Sequence, residues 1–332
     1  MYFIPEFSNF THAMSEFHKP AFSIVTPTCR RLLLLKRTIL SVINQTFSDY
    51  EHIVIDDAND PETEILVKGF GNKRIIFHQH LSPRGAAGGY NTGIKLSRGR
   101  FILFLDDDDE YLPTFLGKMY DHFSNADPKI GFVWTGVSRI EDTYNGEKLL
   151  SSKIWPSRFL IKEQGLVEAT SIGNGYGVCV KKECIDIIGL YDESLIMGHD
   201  TEFLFRLAGK FDFETIPEAL VKLHQHNSLQ LTNERNNFVR LQLREEILDR
   251  HQELLKAFPR LYHVHYRVVA SLCYNLKLRQ KGRKILLSII KNTPFNIFNF
   301  TDLLSYELVG KDTISFYYGS RLRKFVHLIK RK

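Results

Sequence analysis

The sequence predicts an α/β fold, a mostly parallel central sheet with helices on both faces, followed by a helical carboxyl-terminal extension. Three observations carry this. The runs "FSIVT", "HIVID", "RIIFHQ" and "FILFL" are short and largely apolar, as strands of a sheet covered on both faces are. Helix-period segments separate them, the order that builds parallel, doubly wound sheets. Two of the runs end in aspartates, at 56–57 and 106–109, and open α/β sheets bind ligands at the carboxyl ends of their strands.

In chain order, residues 1–20 form an amino-terminal extension. "LLLLKRTILSVINQ" reads as the first helix, Pro61 to Phe70 as the second, and a glycine-rich opening into "YNTGIKLSR" as the third. Pro113 to Asn125 reads as a helix and "IGFVWTG" as a strand. Residues 142–172 are polar and aperiodic and are expected to form a mobile loop. A glycine-rich strand, a short helix and an acidic loop follow, then a helix from about Asp200 with Phe203, Leu204 and Leu207 on one face. From about Asn233 the pattern is helical almost to the end, with breaks expected near Phe258-Pro259, Gly282 and Pro294. The expected boundaries are 21–230 for the α/β domain, divided into halves at 110, and 231–332 for the helical region.

With 332 residues, 43% hydrophobic and 25% charged, the chain has the composition of an ordinary globular protein. Four cysteines, Cys29, Cys179, Cys184 and Cys273, fit neither a zinc ligand pair nor a disulfide framework and read as reduced core thiols of a cytosolic protein. The amino terminus contains acids and no long apolar segment, and no run is long enough to span a bilayer, so neither a secretion signal nor a membrane span is expected. The net charge of +6 is concentrated in "SRLRKFVHLIKRK", whose apolar residues approach a helical stripe. That tail points to peripheral contact with an anionic membrane, on the inner face of the cell membrane, and nucleic acid is not an expected partner.

The stretch "FILFLDDDDEYLP" carries the chemistry. Like charges one residue apart are costly unless a cation or several donors compensate them. An EF-hand counted from Asp106 would need glycine and glutamate where Tyr111 and Gly117 stand. A six-coordinate Mn²⁺ or Mg²⁺ with positions left for phosphate oxygens is the simpler expectation, against a plain acidic turn. Four other stretches are weaker alone. "HIVIDDAND" also reads as a strand-end turn capping the next helix. "SPRGAAGGYNTGI" offers glycines that let backbone approach a phosphate, with Arg84 to pair with it. In "GHDTEFLFRL", Asp200 is also a plausible N-cap, and the two histidines of "HQHNS" lie on one side of a strand.

The order of these pieces resembles the family 2 glycosyltransferases of GT-A fold, over about residues 21–230. "SIVTPTCRRLLLLKRTILSVINQTFSDYEHIVIDD", the "YNTGI" helix, "LDDDDEYLP" as the family's LDxDDxxxP and "GHDTEFLFRL" as its acidic-to-arginine segment carry the resemblance. It implies a nucleotide-sugar donor, most simply a UDP-sugar, bound in the donor half 21–110, with the acceptor half at 111–230. Asp57 would hold the base or ribose, beside backbone from Thr26, Pro27 and Thr28. Asp106 and Asp108 match the metal-binding DxD pair, with Asp106 or Asp107 facing the ribose. Asp200 matches the catalytic base, Arg206 the downstream arginine, and His226 a histidine near the diphosphate and metal. Asn91 is the helix asparagine of the donor site, and Arg84 stands in for the arginine that Tyr90 replaces. Further departures are Cys29-Arg30 for an aromatic and asparagine, Ala58-Asn59 for glycine-serine, and His199 for the glutamate before the base.

The resemblance thus implies inverting, metal-dependent transfer to a glycan or lipid-linked acceptor in surface polysaccharide synthesis. A sugar-nucleotide pyrophosphorylase would instead carry a basic glycine loop after its first strand, where "TPTCRR" has no glycine. A non-catalytic binding module would be expected to have lost one of the aspartates, and all are present.

Overall fold

The structure, a computed structural model, describes residues 19–144, 146–225, 236–292, 300 and 303–307. His226, Pro294, the first 18 residues and the basic tail at 321–332 lie outside them. The chain divides into two compact units, one of residues 1–159 with 172–226, the other of 160–171 with 227–332.

In the first unit, strands β1 (Phe22–Thr28), β2 (Tyr50–Asp56), β3 (Ile75–Gln79) and β4 (Phe101–Phe104) form the parallel part of one sheet, ordered β3-β2-β1-β4. Beyond β4 the order continues through β8 (Cys179–Lys181), β6 (Ile130–Thr143), β9 (Asp212–Gln225) and the two-residue β5 (Glu110–Tyr111), with β7 (Gly146–Lys153) on the outside of β6. There β6 and β9 run parallel, while β8, β7 and β5 pair antiparallel. Helices α1 (Leu32–Ile43), α2 (Pro61–Gly69) and α3 (Gly85–Leu96) fall where the periodicity placed them. Val54 packs with Leu35, Ile39 and Val67 on one face of the sheet, whereas Val25 lies against Gly93 of α3 on the other, so helices cover both. The remaining helices of this unit are α4 (Phe115–Asn125), the short α6 (Lys182–Ile188) and α7 (His199–Lys210).

Residues 142–172 are not the irregular loop expected of them. They hold the end of β6, all of β7 and helix α5 (Lys162–Ala169). Every residue of β7 is exposed, which is why no apolar alternation marks it in the sequence. Trp155 is buried against Trp134 and Tyr176 with Lys153 over its ring, and so anchors the segment. Leu166 and Ala169 bury α5 in the second unit, where the Thr170 hydroxyl bonds His265 at 2.8 Å and Glu163 accepts from the Arg260 amide at 2.6 Å.

The second unit also holds α8 (Asn237–Arg250), α9 (Gln252–Ala257), α10 (Pro259–Asn275) and α11 (Arg279–Asn292). Pro259 opens α10, as proline at a first helical position does. The break expected near Gly282 falls at 276–278, between α10 and α11. Gly282 lies inside α11, where a Cβ would meet the Tyr274 ring at 2.7 Å, so the glycine serves close helix packing. Among the cysteines, Cys179, Cys184 and Cys273 are buried as expected, but Cys29 is exposed at the end of β1. No helix among the described residues is long and apolar enough to cross a membrane.

Candidate active site

The carboxyl ends of β1, β2 and β4 lie side by side, and their register brings Thr28, Asp56–Asp57 and the run 106–109 to one edge of the sheet. At β2, Asp56 accepts from the amides of Ala58 (2.9 Å) and Asp60 (2.7 Å), an Asx-type turn that closes the strand. Asp57 accepts from the amides of Arg84 (2.7 Å) and Gly85 (2.8 Å) and bonds His80 at 2.7 Å, while the other ring nitrogen of His80 meets Thr92. The aspartate expected at the base or ribose thus also ties β2 to the start of α3.

At β4 the acids are compensated less completely. Asp107 accepts from the Thr28 hydroxyl (2.7 Å) and Arg31 Nη1 (2.7 Å), and Arg31 Nη2 reaches Asp108. The Tyr90 hydroxyl donates to Asp106, and the His224 amide donates to Asp109 at 3.2 Å. Burial, then the charge of Asp108, pushes the Asp106 carboxyl up to about 7 despite the Tyr90 bond. Burial likewise raises Asp107 to about 6, with Arg31 and Thr28 pulling it back. Asp109 is raised well above the usual carboxylate range by burial and by Asp106 and Asp108. Oxygens of Asp106, Asp108 and Asp109 all lie within 4.8 Å of one another. This oxygen-only set, half-buried at Asp106 and Asp108, buried at Asp109 and mutually repelling, fits a hard divalent cation. Asp109 joins Asp106 and Asp108 in it, which the DxD pattern did not predict.

Asp200 sits in the first turn of α7, accepting from the Thr201 amide at 2.7 Å. What brings it to the acids is a glycine bridge read in sequence only as part of a strand. A Cβ on Gly173 would lie 2.7 Å from Asp200 Oδ2. One on Gly175 would lie 2.8 Å from Asp109 Oδ2 and 3.5 Å from Asp106 Oδ2. A three-residue span, Gly173 to Gly175, thus lines both sets of carboxylates, and only glycine at its two ends clears them. The span enters a 3₁₀ turn, Asn174–Tyr176, leading into β8, which is shorter than the glycine-rich strand expected there.

Other expected ligand residues have internal partners. Arg84 Nη2 donates to both carboxylate oxygens of Glu193, at 2.7 and 2.8 Å. Asn91 is buried, its amide donating to Tyr191 O and Glu193 and accepting from the Tyr191 amide, which fastens residues 191–193 to α3. Arg206 pairs with Glu202 and donates to the carbonyls of Ile188, Gly189 and Leu190, which holds the segment leading to Asp200. The side chain of Thr26 is buried against His52, and of the expected first-strand residues Thr28 alone turns its hydroxyl to the acids. Two glycines of α3 serve close packing on β1: a Cβ would lie 2.7 Å from Pro27 at Gly89 and 2.1 Å from Val25 at Gly93.

Sequence reasoning missed Arg31 and Tyr90 as a donor to Asp106, and named His224 only as one of two histidines on one side of a strand. The His224 ring bonds Glu110 at 2.7 Å and Asp142 at 2.8 Å, beneath the acidic loop. Adjacency of "CRRL" to a strand end was the one signal for Arg31; Tyr90 reaches Asp106 across 16 residues and His224 reaches Asp142 and Glu110 across 82 and 114, and no local pattern marks either pairing.

Residues 23–180 match the family model described as glycosyl transferase family 2. The chain carries a family 2 glycosyltransferase domain. This glycosyltransferase is 29% identical over 219 residues to an uncharacterized glycosyltransferase of Methanocaldococcus jannaschii, covering 63% of this chain and 72% of that one. It is 38% identical over 103 residues to the GalNAc(5)-diNAcBac-PP-undecaprenol β-1,3-glucosyltransferase of Campylobacter jejuni, covering 30% of this chain and 33% of that protein. Its fold is that of S. aureus TarS 1–349 in complex with UDP-GlcNAc, with a TM-score of 0.57 at 15% identity over 90% of this chain and 91% of that one. It spans only 55% of the longer TarS structure. The mannosyltransferase PcManGT of Pyrobaculum calidifontis, in complex with GDP-Man and Mn²⁺, is equally similar, with a TM-score of 0.57 at 14% identity over 92% and 89% of the two chains.

Proposed function

We propose that this glycosyltransferase is inverting and divalent-cation-dependent, and moves a sugar from a UDP-sugar to a hydroxyl of a glycan or lipid-linked acceptor in surface polysaccharide synthesis. One observation carries the reading: the glycine bridge at 173–175 holds Asp200 beside the Asp106, Asp108 and Asp109 oxygens. Mn²⁺ or Mg²⁺ held by Asp106 and Asp108, with Asp109 behind them, would supply Lewis-acid neutralisation of the departing diphosphate. Asp57 and the β1 end at Thr28 face the nucleoside. Asp200 accepts the acceptor hydroxyl's proton as that oxygen attacks the anomeric carbon, a role that contributes a factor of about 10² to 10⁴. A single displacement of this kind inverts the anomeric centre and needs no covalent sugar intermediate.

The undecaprenol-linked substrate in the name of the Campylobacter relative supports the acceptor class. UDP-GlcNAc in TarS and Mn²⁺ in PcManGT support donor and cation classes. The tail at 321–332, with six Lys or Arg, fits peripheral attachment to the inner face of the membrane, each basic residue being worth about 1 kcal/mol at an anionic surface.

The test is donor hydrolysis by the purified protein with Mn²⁺ across a panel of nucleotide sugars. Turnover of one UDP-sugar that stops in EDTA is the expected result; full turnover in EDTA rejects the cation.

A further inference from the structure

We infer that Arg31 is the resident counter-ion of the acidic loop and transfers to the donor's diphosphate when the divalent cation enters. The inference rests on the cation reading above and adds a residue that neither the DxD pattern nor the expected site contained.

The Arg31 guanidinium straddles two consecutive acids, Nη1 on Asp107 at 2.7 Å and Nη2 on Asp108. Asp108 therefore belongs to two sets at once, the pair with Arg31 and the oxygen cluster with Asp106 and Asp109. A dication and a guanidinium sharing one carboxylate repel each other, strongly in a partly buried site. One must leave, and the geometry favours departure of the arginine. Its side chain is 33% exposed, against 4% for Asp107 and 17% for Asp108.

The loop does not need Arg31 to keep its shape. Arg37 Nη2 holds the Asp108 carbonyl at 2.9 Å and the Thr38 hydroxyl holds the Asp109 carbonyl at 2.8 Å, while Asp107 keeps its bond from Thr28. Arg31 stands just ahead of α1 and three residues past the end of β1, after Arg30 in the left-handed region at φ 54°. That turn aims its side chain at the mouth where the diphosphate must lie if the acids hold the cation. A guanidinium fork fits two phosphate oxygens as well as it fits two carboxylates. The cation adds two positive charges and the diphosphate about two negative ones, so the site's net charge stays near its starting value.

Isothermal calorimetry on the full chain tests this with Mn²⁺ alone, then UDP at saturating Mn²⁺, for wild type, Arg31→Gln and Arg31→Lys. Removing the competing charge should tighten Mn²⁺ binding by Arg31→Gln roughly tenfold and weaken UDP binding by a similar factor. Arg31→Lys, keeping the charge but not the fork, should bind Mn²⁺ like wild type and UDP more weakly. Unchanged or weaker Mn²⁺ affinity in Arg31→Gln, or unchanged UDP affinity, overturns the inference while leaving the cation reading intact. Wild-type protein that binds no Mn²⁺, even with UDP present, overturns both.

Discussion

Two strand ends of the same sheet present runs of aspartate, and they are compensated in opposite ways. After β2, Asp56 and Asp57 receive four backbone amides, from Ala58, Asp60, Arg84 and Gly85. After β4, Asp106 to Asp109 receive one tyrosine hydroxyl, one threonine hydroxyl, one arginine and one amide among the bonds that define the loop. Backbone donors are built into the chain and stay in place, so the first pair is a structural junction. The second run has Asp107 and Asp109 buried and Asp106 and Asp108 half-buried, and burial together with the neighbouring carboxylates raises Asp106, Asp107 and Asp109. Carboxylates in a row are not equivalent: their burial and the fixed donors around them decide how far each is perturbed.

The contrast predicts that the two ends respond to the same substitution in different observables. Asp108→Asn should abolish transfer while leaving the melting temperature close to wild type, because it removes a charged cation ligand and little volume. Residual transfer near the wild-type rate would move the cation site elsewhere.

Asp200→Asn should lower transfer by about 10² to 10⁴ while UDP-sugar affinity, read by calorimetry, is retained. Lost donor affinity would reassign Asp200 to the donor side. A smaller loss, on the order of tenfold, is expected for Gly173→Ala, since a methyl there meets the Asp200 carboxylate at 2.7 Å and displaces it rather than unfolding the chain. Wild-type kinetics in that variant would mean the bridge does not set the position of the base.

At the other strand end, Asp57→Asn should cost stability first, about 1–3 kcal/mol by urea denaturation, because an amide cannot satisfy two backbone donors and His80 together. Unchanged stability with lost donor binding would show that Asp57 serves the ligand and not the junction.

The smallest effect concerns His52, fully buried beneath this end in β2 with a bond to Thr26. Burial pushes its imidazole down to about 3, whereas an unfolded histidine titrates near 6.5. The unfolded chain therefore binds the extra proton between those values. The contribution is intact above about pH 6.5 and is lost as pH falls, at up to about 1.4 kcal/mol per pH unit. His52→Gln should flatten the difference in urea midpoint between pH 7 and pH 5; an unaltered slope would assign the acid sensitivity to other groups.

Strand and helix order through β4 followed from the sequence, because a strand covered on both faces must be apolar along its length and a helix between two such strands must show its own period. So did the identity of the acids, since four adjacent carboxylates are costly wherever the chain places them. Local pattern could not reveal β7, whose residues are all exposed, or the packing role of Gly282, which depends on Tyr274. Nor could it assign Arg84, Asn91 and Arg206 their partners, which lie across the fold or in carbonyls that carry no side-chain signature. The decisive arrangement, Asp200 against Asp106 and Asp109 across two glycines, belongs to the tertiary structure alone. A sequence states which groups are charged, but how many fixed donors surround a charge depends on chain segments tens of residues away that only folding brings into reach.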